Sequence, residues 1–248
     1  MKRIGIVGGV GWQSTVEYYA GLCRLSEKRR VGRKPGNEAL TPEICIESLD
    51  LNTAAALLGH DDDEQSWRGF DDYHRTALMR LQACDAEIAV IASNTPHHRY
   101  ASIVRGIGIP VLSILDATAQ EANRMGVTRV LILGTALTMQ SRMYPDALRR
   151  YGIEAGGPSD ARNRAAAVKI IAEIHREHIA GADERIDAVA RACCGGEVPP
   201  DTAVCLACTE LPLAFPGSKE SPSFERDDIR YINTAAAHIH ALFRFACG

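Results

Sequence analysis

The chain has 248 residues, 46% of them hydrophobic and 24% charged, enough to bury one large core or two small ones. Its 28 basic and 31 acidic side chains leave a formal net charge of −3, which removes any electrostatic reason to expect nucleic acid or an anionic membrane as a partner. No stretch approaches the ~20 apolar residues of a membrane span, and eight cysteines without scaffold spacing, behind a start that lacks a secretory pattern, argue for a reducing cytoplasm. Small-molecule chemistry is the class that remains.

In chain order, Ile4-Gly5-Ile6-Val7 reads as a short buried strand broken by Gly8-Gly9-Val10-Gly11. Ser14 and Glu17 then have capping-box spacing ahead of Val16, Tyr18, Tyr19 and Leu22. Strand, glycine turn and helix in succession present backbone N–H groups to an anion, so a carboxylate or phosphate could dock there. The dinucleotide pattern Gly-x-Gly-x-x-Gly fails at Ser14. Residues 31–42 read as a loop, Glu43–Leu49 as a strand, and Asp61 to Glu64 as a solvated acidic run.

Phe70, Tyr73, Ala77, Leu78 and Leu81 recur at helical spacing, and Glu87–Ala92 is a buried strand ending at Ser93-Asn94-Thr95-Pro96-His97. Ile109–Ile114 reads as a strand, Asp116–Met125 as a helix stopped by Gly126, and Val130–Leu133 as a strand broken at Gly134-Thr135. Helices follow over Arg162–Ala180 and Asp183–Cys194. Thr202–Ala207 is a strand that delivers Cys208 to a start of helix suggested by Thr209, Glu210 and Pro212, where a thiol would have a lowered pKa. Pro216–Asp228 reads as a polar loop, and Asn233 as the cap of a C-terminal helix. Cys205 and Cys208 form Cys-x-x-Cys, but residues three apart on a strand point to opposite faces, and no second pair at zinc spacing accompanies them.

The same plan occurs twice. Arg3-Ile-Gly-Ile-Val-Gly-Gly matches Arg129-Val-Leu-Ile-Leu-Gly-Thr, and Val90-Ile-Ala-Ser93 matches Cys205-Leu-Ala-Cys208. Alternating strands and helices favour parallel sheets, which carry ligands beyond their strand C-termini. The expectation is an α/β protein of two pseudo-symmetric domains with parallel central sheets, residues 1–112 plus 214–248 and residues 113–213. Ser93 and Cys208 would then stand on opposite walls of an interdomain active-site cleft. Such symmetry suits inversion of a carbon, where one group removes a proton and another returns it from the far side.

Gly8-Gly9-Val10-Gly11-Trp12-Gln13-Ser14-Thr15, Asn94-Thr95 with His97, Gly134-Thr135 with Thr138 and Tyr144, and Cys208-Thr209-Glu210 together resemble the aspartate/glutamate racemase superfamily, in family order over nearly the whole chain. The resemblance implies a pyridoxal-independent amino-acid racemase with no cofactor and no metal, a homodimer, acting on aspartate or glutamate. It implies Cys208 as the thiolate base on the L-face and Asn94, Thr95, Thr135 and Thr209 as holders of the α-carboxylate. Val10, Gln13 and Thr138 complete the expected substrate contacts, and Lys169 falls where relatives place a lysine for the distal carboxylate. Lys169 reads equally well as a solvated helix lysine. Trp12 and Gln13 either narrow the pocket or pack the turn.

One departure bears on mechanism. Ser93 stands where the family has its first cysteine, and a hydroxyl is a far poorer acid and base than a thiol at neutral pH. The expectation is an asymmetric racemase that exchanges the α-proton of the L-enantiomer faster. A one-thiol decarboxylase or cis–trans isomerase, or a binding protein without activity, are the alternatives.

Overall fold

The two apolar runs Ile4–Gly8 (β1) and Ile88–Ile91 (β3) are buried at every position, as parallel strands covered on both faces must be. In the computed structural model they pair with each other and are flanked by Ile44–Ser48 (β2) and Val111–Leu112 (β4), giving a parallel sheet of order β2-β1-β3-β4. The structure describes residues 1–30, 41–60 and 63–248. Positions 31–40 of the expected loop, and Asp61 and Asp62 of the acidic run, lie outside the described residues. Asp63 caps a 3-10 turn through Gln65 N, and Glu64 pairs with Arg99.

Helices Trp12–Arg30 (α1), Leu51–Ala56 (α2), Arg68–Ala83 (α3) and Tyr100–Ile103 (α4) also belong to the first unit. On α3 the expected periodicity holds: Phe70, Ala77, Leu78 and Leu81 are buried, while half-buried Tyr73 accepts a hydrogen bond from Asp50 N at 2.9 Å. On α1, Tyr18 and Leu22 are buried, but Val16 and Tyr19 are exposed. The helix begins at Trp12, so Ser14 lies inside its first turn, buried, and the expected capping box is replaced by Thr15, whose Oγ1 accepts from Gly9 N at 2.9 Å.

The second unit holds Ile114–Met125 (α5), Arg129–Gly134 (β5), Ala136–Gln140 (α6), Met143–Arg149 (α7), Glu154–Gly156 (β6), Ala161–His175 (α8), Ala182–Cys193 (α9), Thr202–Ala207 (β7), Ser223–Arg226 (β8) and Ile229–Asn233 (β9). Its sheet runs β6-β5-β7-β9-β8, parallel except for the edge strand β8. Strand β7 separates two cores: Val204, Leu206 and Cys208 join α8 and α9, whereas Ala203, Cys205 and Ala207 join α5 and α7. The opposite-face reading of Cys205 and Cys208 is therefore correct. Helix α8 ends at His175, five residues before the expected end.

The clearest departure is at 214–238. The sequence pattern predicts a loop over Pro216–Asp228 and places 214–248 in the first domain. Here β8 and β9 form a hairpin whose two turn residues, Asp227 and Asp228, both have positive φ (48° and 63°), as a tight hairpin turn requires. Because β9 is hydrogen-bonded to β7, this segment belongs to the second unit, Ile114–His238, and the first unit is Met1–Ser113 with Ile239–Gly248. The C-terminal helix Thr234–Cys247 (α10) is capped by Asn233, whose Oδ1 accepts from Ala236 N at 3.0 Å, as expected. Among the described residues, no helix is long and apolar enough to cross a membrane.

Candidate active site

In each sheet the strand order reverses between two neighbours, β1 and β3 in the first unit and β5 and β7 in the second. Crevices beyond the C-termini of such neighbours are where open α/β sheets bind ligands. The repeat read from sequence is reproduced in register: Ile6 lies opposite Val90, and Ile132 opposite Cys205. Ser93 follows Val90, and Cys208 follows Cys205, by the same three residues.

In the second unit, β7 ends at Ala207 and the next residue is Cys208, only 6% exposed. Beside it, Gly134 ends β5 with no room for a side chain, since a Cβ there would sit 2.7 Å from Ala207 O. This close approach brings Thr135 and Thr138 to the same sheet edge. Thr135 caps α6, its Oγ1 lying 3.3 Å from Thr138 N and 2.9 Å from Thr138 Oγ1.

The thiol of Cys208 donates to Glu210 Oε2 at 2.9 Å, and Thr209 Oγ1 donates to the same oxygen at 3.3 Å. The expected helix after Cys208 is only a 3-10 turn, Leu211–Ala214. No helical run of free N–H groups favours the thiolate there. Burial, together with the Glu210 carboxylate, instead pushes the thiol well above its ordinary value. What the sequence predicted as a helix-activated thiolate is a buried thiol with a carboxylate acceptor in reach.

His175, at the end of α8, completes this cluster. Its Nε2 lies 3.6 Å from Glu210 Oε2, beyond hydrogen-bond distance, and is buried with no other partner. Glu210 raises the imidazole above its ordinary value, against the opposing effect of burial. Ligating atoms of His175, Cys208 and Glu210 all lie within 4.8 Å of one another, types and spacing that could hold a metal ion. Sequence reading missed His175, because a helix expected to run to Ala180 makes it an ordinary interior helix residue. Glu210 was legible as part of a motif, but not as the partner of the sulfur.

In the first unit, Gly9 has φ 88°, and a Cβ on it would meet Leu49 O at 2.1 Å. That approach holds the turn carrying half-buried Val10 and Gln13 against the end of β2. Beyond β3, half-buried Ser93 is followed by buried Asn94 and by a 3-10 turn that starts at Thr95. Buried His97 fastens this turn: its Nδ1 is 2.8 Å from Ser93 O, and its ring stacks on Tyr100 at 5.5 Å. Lys169 is placed differently from the other expected contacts, on the solvent face of α8, with Nζ 3.9 Å from Glu173. A cavity of about 420 Å³ lined by Arg129, Glu154, Cys193 and Cys194 lies at the opposite, N-terminal ends of β5 and β7. Burial pushes the Cys193 thiol there up to about 11, which makes it a poor nucleophile.

Two parallel α/β units, each with chemistry-bearing side chains at its strand-order reversal, define an enzyme of the doubly wound class. Comparison with solved structures narrows this. The chain is 28% identical to an aspartate racemase homologue from Pyrococcus horikoshii OT3, with a TM-score of 0.74 and full coverage of both chains. It is 26% identical to a candidate Asp/Glu racemase from Yersinia pestis, with a TM-score of 0.78 and full coverage of both. An aspartate racemase from Picrophilus torridus shares the fold at 22% identity and a TM-score of 0.73, over 100% of this chain and 95% of that one. The family profile for Asp/Glu/Hydantoin racemase matches residues 7–242, and the chain belongs to that family. It is accordingly an isomerase of the racemase type.

Proposed function

We propose that the chain racemises an acidic amino acid, aspartate or glutamate, without a cofactor. Cys208 exchanges the α-proton, and Ser93 takes the place of a second thiol. The observation that carries this reading is the matched register, Ile6 opposite Val90 and Ile132 opposite Cys205, from which Ser93 and Cys208 follow as equivalent residues of a repeated plan. Similarity to an aspartate racemase homologue supports the substrate class.

In this mechanism Glu210, whose Oε2 already accepts the Cys208 hydrogen bond, takes the thiol proton, and the resulting thiolate removes the α-proton of the L-enantiomer. Negative charge then develops on the α-carbon and its carboxylate, and donors placed before the step stabilise it more than mobile water can. Asn94, Thr95, Thr135 and Thr209 are proposed to hold the α-carboxylate, Val10, Gln13 and Thr138 to contact the rest of the substrate, and Lys169 to attract the distal carboxylate. Return of a proton from the other side falls to Ser93, whose hydroxyl is a weak acid and base. The α-proton of the L-enantiomer therefore exchanges with solvent faster than that of the D-enantiomer.

The test is proton NMR of L- and D-aspartate and L- and D-glutamate with the protein in deuterium oxide. Loss of the α-proton signal with the opposite enantiomer accumulating, abolished by Cys208→Ala, is the expected result. Exchange that persists in Cys208→Ala, or no exchange from any of the four, would overturn the proposal. A cytoplasmic homodimer completes the reading. It is supported by eight free cysteines and by Trp12, Val16 and Tyr19, which are 57%, 52% and 44% exposed at helical spacing along α1. A Trp12→Glu variant that sediments as monomer beside a dimeric parent checks it.

A further inference from the structure

We propose that Cys208, Glu210 and His175 form a binding site for a soft divalent cation, zinc above all, and that filling this site switches the enzyme off by taking the thiol out of service. Thiolate sulfur, imidazole nitrogen and carboxylate oxygen are the three ligand types zinc uses, and sulfur selects it over magnesium and calcium. Among the described residues this is the one group of three such side chains whose ligating atoms converge within 4.8 Å.

Two of the three ligand-to-ligand distances can be set against those of a filled site. With Zn–S about 2.3 Å and Zn–N and Zn–O about 2.0–2.1 Å, a tetrahedral ion separates its ligand atoms by roughly 3.3–3.6 Å. Here sulfur and Glu210 Oε2 are 2.9 Å apart, and His175 Nε2 and Oε2 are 3.6 Å apart. A small rotation of the Glu210 carboxyl opens the first distance, and the second already fits. His175 Nε2 is buried and bonded to nothing, so its lone pair is available in the neutral tautomer. The three ligands stand on a strand end, the turn beyond it and a helix end whose Ile171 and Ile174 share a core with Leu211 and Ala214 of that turn. Three protein ligands leave the fourth position open to water or to a substrate carboxylate.

Charge favours the ion as well. A thiolate and a carboxylate 4–6% exposed and in contact cannot both stay ionised without a cation, and Zn²⁺ cancels both charges. Binding breaks the S–H bond and releases that proton to solvent, forms the Zn–S, Zn–O and Zn–N bonds, and changes no oxidation state. The blocking half of this inference rests on Cys208 being the proposed base. The binding half does not.

The experiment is calorimetric titration of chelator-treated full-length protein with zinc chloride, repeated with cobalt(II) for its absorption spectrum. We expect one zinc per chain, with proton release, and a thiolate-to-cobalt charge-transfer band. Cys208→Ser should remove the band and the binding, and His175→Asn should weaken binding by about tenfold or more. Circular dichroism confirms that these near-isosteric variants are folded. The control is Cys193→Ser/Cys194→Ser, expected to bind as the parent does. Absence of stoichiometric zinc, or binding that survives Cys208→Ser, overturns the site. Zinc that binds but leaves α-proton exchange unchanged overturns the block, whereas zinc binding to a protein that exchanges no α-proton even metal-free upholds the site and sinks the racemase reading instead.

Discussion

Replacing Gly9 with alanine tests how the first strand-end turn is held. Two costs combine. Gly9 has φ 88°, a left-handed conformation that costs an L-residue about 1–2 kcal/mol, partly offset by about 0.4–1 kcal/mol from a stiffer unfolded chain. The new Cβ would also lie 2.1 Å from Leu49 O and 2.5 Å from Leu49 N, both backbone atoms, so the β1–α1 turn must move off β2. Overpacking of that kind costs about 1–3 kcal/mol. The sum is roughly 1–5 kcal/mol. Gly106 isolates the first cost, because its φ is 81° but nothing lies within 4 Å of a Cβ there. Both glycines belong to the first unit, and so do both tryptophans of the chain, Trp12 and the 2%-exposed Trp67. Tryptophan fluorescence in urea therefore follows this unit. At about 2 kcal/mol per molar urea, Gly9→Ala should lower the midpoint by about 0.5–2.5 M and Gly106→Ala by under about 1 M. Equal shifts would refute the close-approach argument.

His74 predicts an acid-sensitive first unit. It is fully buried, its Nδ1 is 2.9 Å from Phe70 O, and burial holds the imidazole below its ordinary value of 6.5. On acidification the unfolded chain takes up the proton first, so the stability contribution is complete above that value and falls as pH drops towards the folded one. Urea midpoints by tryptophan fluorescence at about pH 7.5 and pH 5.5 should differ less in His74→Leu than in the parent; an unchanged difference would refute the assignment. Ser93→Cys should raise exchange from D-aspartate or D-glutamate more than from the L-enantiomer, read by NMR in deuterium oxide, and equal gains would remove Ser93 from the reaction. Lys169 is 79% exposed beside Glu173, so Lys169→Met should leave stability within about 0.5 kcal/mol. As a distal-carboxylate contact it should raise KM with little change in kcat, and an unchanged KM returns it to the role of a solvated lysine.

Much of the fold was legible because its information is local. Buried parallel strands are continuous apolar runs, so β1, β3, β5 and β7 could be read directly, and Thr202–Ala207 is bounded as the pattern predicts. The repeat was legible for the same reason, since two copies of one strand–turn–helix plan must place their glycines and strand ends alike. Cys208, Ser93, Thr135 and Thr138 are singled out by that repeat and its motifs. The hairpin of β8 and β9 was not. Its strands are short and polar at the edge, and its turn uses two aspartates at positive φ instead of the usual glycine.

By itself, then, the sequence determined the two parallel α/β units, their register and the identity of the residue at each strand end. Only tertiary structure decided what surrounds the thiol. Its protonation is set by burial and by a carboxylate two residues away, neither of which a sequence pattern measures, because a short run after Cys208 can equally start a helix or make one 3-10 turn. The histidine that faces the same carboxylate comes from a helix end more than thirty residues earlier in the chain. Packing of that helix against the turn beyond Cys208, a long-range contact made by Ile171, Ile174, Leu211 and Ala214, is what brings His175 to the site.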